Sequence, residues 1–186
     1  LTKHGFKVTP VLTKAAEKFV TPLSIAALAR SKVYSDLFDL KDEVEMGHIE
    51  LSRSADLILV APATANIIAK MVSGISDDLA STILLATDTP VMVAPSMNVR
   101  MWDHPATQRN LALLDNDTVT LIGPNKGEMA CGEYGLGRMA EVSEIVGSVE
   151  QFFYSGSLVG KHLLVTSGAT REPIDPIRYI TNRSSG

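Results

Sequence analysis

Asn98, Cys131 and His48 are the side chains whose types and settings suit chemistry on a small polar molecule. Asn98 lies in Pro95-Ser96-Met97-Asn98-Val99-Arg100-Met101-Trp102, directly after the apolar run 90–94. A carboxamide offers a donor and an acceptor without charge, and Met97, Met101 and Trp102 give it an apolar bed. Two roles are open for it: a ligand contact, or the cap of a short helix with Trp102 in the core. Cys131, the only cysteine, stands in Glu128-Met129-Ala130-Cys131-Gly132-Glu133-Tyr134-Gly135-Leu136-Gly137-Arg138-Met139. A lone thiol is a packed core residue or a reactive group, and long glycine-bearing loops often act as lids. His48 follows Gly47 at the start of a short segment; an imidazole there is structural or exchanges protons near neutral pH. Pro62-Ala63-Thr64-Ala65-Asn66 adds a hydroxyl, a carboxamide and helix N-terminal N–H groups, a set suited to an anion, a polar ring edge or plain capping. Thr13 reads as a cap of the helix after it. No His, Cys, Asp and Glu group has metal-ligand spacing, so no structural zinc is expected. The glycine spacing at 132, 135 and 137 resembles a dinucleotide fingerprint only superficially, since no apolar strand precedes it.

These residues need elements to hold them. An uninterrupted apolar run is a strand packed on both faces, which predicts strands at 91–94 and 55–62. Further strands are expected at 6–13, 119–122 and 161–166, and a short one near 33–38. Helices are predicted at 14–20, 23–31, 67–72, 77–86, 106–114 and 142–153, with Thr21-Pro22 and Gly74 as start and stop signals. Residues 32–46 read as an acidic solvated connection, 123–140 as a loop and 154–160 as a linker. Strand and helix alternate at least four times, which makes the class α/β with a mostly parallel sheet. Thr13, 64–66 and 96–98 all follow strands, and right-handed crossovers then gather them at one sheet edge, where such folds bind ligands.

Composition narrows the classes. With 186 residues, 45% apolar and 20% charged, the chain can build a core, so disorder is excluded. A net charge of -4 argues against a surface that coats nucleic acid. One cysteine excludes an intramolecular disulfide framework and fits a reducing cytosol. No apolar stretch reaches the length of a membrane span, and no signal peptide is visible, so a cytoplasmic protein is expected. Residues 1–4 read as the tail of a helix closed by Gly5, so an upstream strand and turn are expected outside this sequence, with a second domain that continues beyond residue 186.

The motifs together resemble those of the FMN-binding decarboxylases that act on a cysteine at a carboxyl end. Residues 62–66 are similar to that family's Pro-Ala-Ser-Ala-Asn-Thr motif, with Thr64 for Ser and Ile67 for Thr. Residues 95–102 match its Pro-x-Met-Asn-x-x-Met-Trp motif at every fixed position, and 130–139 resemble its substrate-clamping flap. The tail 166–186 is similar to the start of phosphopantothenate–cysteine ligase. The resemblance implies a Rossmann-like, flavodoxin-like doubly wound parallel sheet. It also implies a decarboxylase domain over 1–153, a linker over 154–160 and the beginning of a ligase domain over 161–186.

It implies FMN-dependent decarboxylation of 4′-phosphopantothenoylcysteine to 4′-phosphopantetheine in coenzyme A biosynthesis. In that family's chemistry FMN would serve as the electron sink, taking electrons as the thiol carbon is oxidised to a thioaldehyde and returning them after CO2 leaves to give an enethiolate. By position, Asn98 would bind the substrate carboxylate, His48 would act as base or orienting group, and Cys131 would supply the final proton. Thr13, Lys14, Ala15, Thr64, Ala65, Asn66, Ile67 and Ser96 would line the FMN site. Met101, Glu128, Met129 and Ala130 would join Asn98 against the substrate. In the ligase part, which would use CTP and Mg2+, Asn182 matches a residue tied to turnover of the cytidylyl intermediate. Trimer-based homo-oligomers with shared sites are also implied. A regulatory flavoprotein that only binds a partner has no need of His48, Asn98 and Cys131 together. A decarboxylase of peptide C-terminal cysteines is disfavoured by the ligase-like tail, and a flavin prenyltransferase by the cysteine flap.

Overall fold

The computed structural model describes residues 1–37, 47–129, 132–154 and 162–183. The chain divides into two compact units, Leu1–Gln151 and Phe152–Gly186. The first runs through α1 (Pro22–Ala29), α2 (His48–Arg53), β1 (Ile58–Ala63), α3 (Ala65–Ser73), α4 (Leu79–Ala86) and β2 (Val91–Pro95). It continues with α5 (Val99–Asp103), α6 (Pro105–Asn116), β3 (Thr120–Leu121), β4 (Asn125–Glu128), β5 (Tyr134–Arg138) and α7 (Val142–Phe153).

β1, β2 and β3 form a parallel sheet in that order, with β2 in the middle. Successive β2 side chains serve opposite cores. Val93 joins Ala63, Ile67, Ile68, Leu111 and Leu114 under α3 and α6, while Met92 and Ala94 join Ile122, Ala140, Ile145 and Val149 under α7. That is why 91–94 carries no polar alternation. Val93 is wholly buried, worth about 1.5–3 kcal/mol. A third cluster packs Leu51 of α2 against Leu79 and Ile83 of α4 and Tyr34.

Capping side chains set the helix starts. Thr64 accepts the Ile67 N–H ahead of α3, and Gly74 at φ 64° ends that helix. Asp78 and Ser81 cap α4 reciprocally. His104 caps α6, with Pro105 at its first position. Because β1, β2 and β3 run parallel, the pairs α3–α4 and α5–α6 each carry the chain back to the start of the next strand.

Several expected elements differ. Residues 6–13 contribute a single parallel bridge, Val11 to Tyr34, and no strand; Pro10 lacks the N–H that a ladder needs and serves only as acceptor for Tyr34 N–H at 3.0 Å. Of the expected helix 14–20, only the 3₁₀ turn Ala16–Lys18 forms. The segment beginning at His48 is a helix. Residues 123–140 are no open loop: β4 and β5 pair antiparallel. In the second unit, 162–166 form no strand; β6 (Arg171–Pro173) and β7 (Tyr179–Thr181) make an antiparallel ribbon instead. Its turn is organised by the Asp175 carboxylate, which accepts the N–H groups of Ile177 and Arg178. The acidic stretch 38–46 and the linker stretch 155–160 lie outside the described residues.

Candidate functional site

Two neighbouring parallel strands deliver the two motif turns side by side. β1 ends at Ala63 and leads into Thr64, Ala65 and Asn66; β2 ends at Pro95 and leads into Ser96, Met97 and Asn98. The Ser96 N–H donates to Ala63 O at 3.0 Å and stitches the turns together. Thr64 uses its hydroxyl as a cap. The Ser96 hydroxyl and the Asn66 carboxamide have no hydrogen-bond partner among the described residues. With the first N–H groups of α3, this is a neutral donor and acceptor set at a helix N-terminus.

Asn98 both caps and presents. Its Oδ1 accepts the Met101 N–H at 2.8 Å ahead of α5. Only the oxygen of a carboxamide accepts, so this bond fixes which end of the amide is which. The exposed Nδ2 hydrogens remain without a partner among the described residues. Met101 stands beside it, 44% exposed, and the two share a cavity wall with Arg100, His104 and Thr107. The sequence left capping and ligand contact open for Asn98; the amide has one group for each.

The hairpin lies across this turn. Met97 N–H donates to Gly137 O at 2.9 Å, and a Cβ on Gly137 would stand 2.4 Å from Met97 O at a φ of +128°. A Cβ on Gly135 would meet both Val99 methyls at 2.9 Å. Gly135 and Gly137 are therefore required by close approach to the turn around Asn98. Arg100 Nε donates to Glu133 Oε1 at 3.1 Å, a second tie from α5 to the hairpin. At the other end, Asn125 Nδ2 donates to Glu144 on α7 at 2.5 Å. The Glu141 N–H first, and then Asn125, hold the Glu144 carboxyl below the usual carboxylate range.

Other expected residues fall as follows. Thr13 accepts the Ala16 N–H at 3.1 Å and is a local cap; Lys14 and Ala15 follow it on an exposed turn. Ile67 is buried in the core on α3. Glu128 and Met129 close the β4 side of the hairpin, where Met129 N–H donates to Glu133 O. Ala130 and Cys131 lie outside the described residues, and of His48 only the backbone, the first residue of α2, is described. Asn182 follows β7 in the second unit, exposed. Thr107, unnoticed in the sequence, is a buried hydroxyl on the cavity wall. Only its burial singles it out, and a threonine early in a helix gives no sign of that.

Comparison with known proteins bears on this arrangement directly. The flavoprotein family model matches residues 1–154. The chain belongs to the flavoprotein family. A second model, the DNA/pantothenate metabolism flavoprotein C-terminal domain, matches residues 158–186 of this flavoprotein. Relatives include the coenzyme A biosynthesis bifunctional protein CoaBC of Vibrio vulnificus, 50% identical over the whole chain and covered over 46% of its own length. That of Bacillus subtilis is 46% identical, with 47% of its length covered. The chain thus spans less than half the length of these curated relatives. Among solved structures, a PPC decarboxylase mutant complexed with pantothenoylaminoethenethiol superposes with a TM-score of 0.72 at 37% identity. That match covers 81% of this chain and 85% of the other. The FMN binding protein AtHal3 gives a TM-score of 0.67 at 39% identity over 79% of this chain and 82% of its own. The fold is thus the α/β, flavodoxin-like one that the motifs implied.

Proposed function

We propose that this flavoprotein is the decarboxylase portion of a bifunctional coenzyme A biosynthesis protein. It converts 4′-phosphopantothenoylcysteine to 4′-phosphopantetheine and CO2. The observation that carries the reading is the Asn98 carboxamide, oriented by its own cap bond so that its N–H2 group is left without a partner among the described residues. The likeness to a PPC decarboxylase supports it.

The donor set at the sheet edge fits FMN. Ser96, Asn66 and the N–H groups of Ala65 and Asn66 would meet the polar edge or phosphate of the cofactor. The exposed Lys14 after Thr13 would add a cation for the phosphate. Bound FMN would supply the reversible two-electron chemistry that side chains lack.

The protein's own tasks are to bind, orient and move protons. The Asn98 N–H2 donates to the substrate carboxylate, and Met101 and Met129 shield it from water. In the net reaction the bond from the cysteine α-carbon to the carboxylate breaks, and a C–H bond takes its place. Cys131 provides that proton, and His48 handles the proton of the substrate thiol. Glu128, at the end of β4, and Ala130 would flank the substrate. The whole protein would also join 4′-phosphopantothenate to cysteine with CTP and Mg2+, through a domain that begins at 161–186 and includes Asn182.

Assembly as a trimer-based homo-oligomer in the cytoplasm completes the reading. Phe19, Leu23 and Leu28, 88%, 81% and 74% exposed on and just before α1, are apolar side chains suited to burial against another subunit. Among the described residues, no helix is long and apolar enough to cross a membrane. The test is to purify the full-length protein, record its visible spectrum and measure CO2 release from 4′-phosphopantothenoylcysteine. A yellow protein that releases CO2 is expected; a colourless, folded and inactive one overturns the assignment.

A further inference from the structure

We propose that Thr107, with His104, completes a polar subsite beside Asn98 that holds the amide acylating the substrate's cysteine; this rests on the decarboxylase reading above. Asn98, Arg100, Met101, His104 and Thr107 line one surface cavity of about 400 Å³. Thr107 is only 7% exposed, yet its hydroxyl has no hydrogen-bond partner among the described residues. A helical threonine ordinarily returns its hydroxyl to a carbonyl one turn back, as Thr82 does to Asp78 O at 2.8 Å; the Thr107 hydroxyl makes no such bond among the described residues. A buried polar group without a partner is costly. On the wall of a surface cavity, water or a polar group of a bound ligand relieves the cost, and a ligand that matches the hydroxyl replaces the water.

The neighbouring groups say what kind of ligand. His104 Nδ1 accepts the Ala106 N–H at 3.1 Å. That nitrogen is therefore unprotonated, and the neutral ring carries its hydrogen on Nε2. Asn98 has committed its oxygen to the Met101 N–H and keeps its N–H2. The wall thus offers three donor groups, the Asn98 N–H2, the His104 Nε2–H and the Arg100 guanidinium, and one hydroxyl able to donate or accept, with the Met101 side chain as its apolar part. An N-acylated amino acid is the complement: a carboxylate and an amide carbonyl to receive hydrogen bonds, and an amide N–H to give one. With the carboxylate on Asn98, the amide one carbon away falls to Thr107.

The experiment uses the full-length, flavin-loaded protein and two variants, Thr107→Val and Thr107→Ser. Valine keeps the shape and removes the hydroxyl. It is expected to raise KM for 4′-phosphopantothenoylcysteine about 3- to 10-fold, the worth of one hydrogen bond. The kcat should change less than about two-fold, and Tm should stay level or rise, because the lost hydroxyl had no protein partner. Serine should restore KM. An unchanged KM in Thr107→Val overturns the subsite, as does a lowered Tm with unchanged KM, which would make the hydroxyl structural. If the unaltered protein releases no CO2, the decarboxylase reading fails first and takes the ligand of the subsite with it. If it does release CO2 and KM stays put, the subsite alone fails.

Discussion

On the proposed reading Asn98 divides one carboxamide between two tasks, and a single substitution separates them. Aspartate caps a helix as well as asparagine, so Asn98→Asp should leave Tm within about 2 °C, an effect of some tenths of a kcal/mol. It loses the outward N–H2 and sets a negative charge against the carboxylate. We expect kcat/KM to fall about 10- to 100-fold, the cost of a hydrogen bond to a charged group. Unchanged turnover would remove Asn98 from the substrate. Cys131→Ser tests the other end of the reaction. CO2 release should persist while 4′-phosphopantetheine fails to form and an oxidised enethiol accumulates, followed by mass spectrometry of the products. Asn98 and Thr64 were legible in the sequence because caps and anion contacts use the same short polar side chains after an apolar run. Thr107 was not, because its meaning lies in what fails to surround it.

At the scale of elements, the hairpin was the least legible part. Strands advertise themselves through branched and aromatic side chains, whereas β5 reads Tyr-Gly-Leu-Gly-Arg, with glycine wherever the backbone must approach α5. Gly137→Ala should therefore lift the hairpin from the Met97 turn. Overpacking at the 2.4 Å contact costs about 1–3 kcal/mol, seen as a Tm lowered by several degrees and a raised KM. β2 and α7 were legible, since apolar runs and amphipathic period survive any context. Residues 6–13 misled because composition alone does not supply a hydrogen-bonding neighbour. The junction of α3 and α4 carries a pH dependence. Lys70 Nζ binds the carboxylates of Asp77 and Asp78. Hydrogen bonding to Asp77, then to Asp78, raises the lysine above 10.5. Burial pushes Asp78 up, but the bonds from Lys70 and Ser81 outweigh it and hold the carboxyl below 3.8. A depressed carboxylate stabilises the fold above its ordinary pKa and loses that contribution as the pH falls through its folded value; the raised lysine loses its contribution only above 10.5. Lys70→Met should thus lower the urea midpoint at pH 7, with a deficit that shrinks towards pH 3.

At the scale of the molecule, the α/β class followed from alternation of elements, while assembly and ligand loading depend on surfaces the sequence does not mark. On the proposed assembly, Leu23→Glu on the exposed face of α1 should reduce the oligomer to smaller species, read by light scattering; an unchanged mass would remove that face from the contact. The middle strand has a further consequence. β2 is gripped from both layers and leads directly into the Asn98 turn. In heavy water, the backbone protons of 92–94 should therefore be among the last to exchange, whether or not anything is bound. Stiffening on ligand capture would be confined to the antiparallel arm above, leaving an immovable seat beneath a responsive cover.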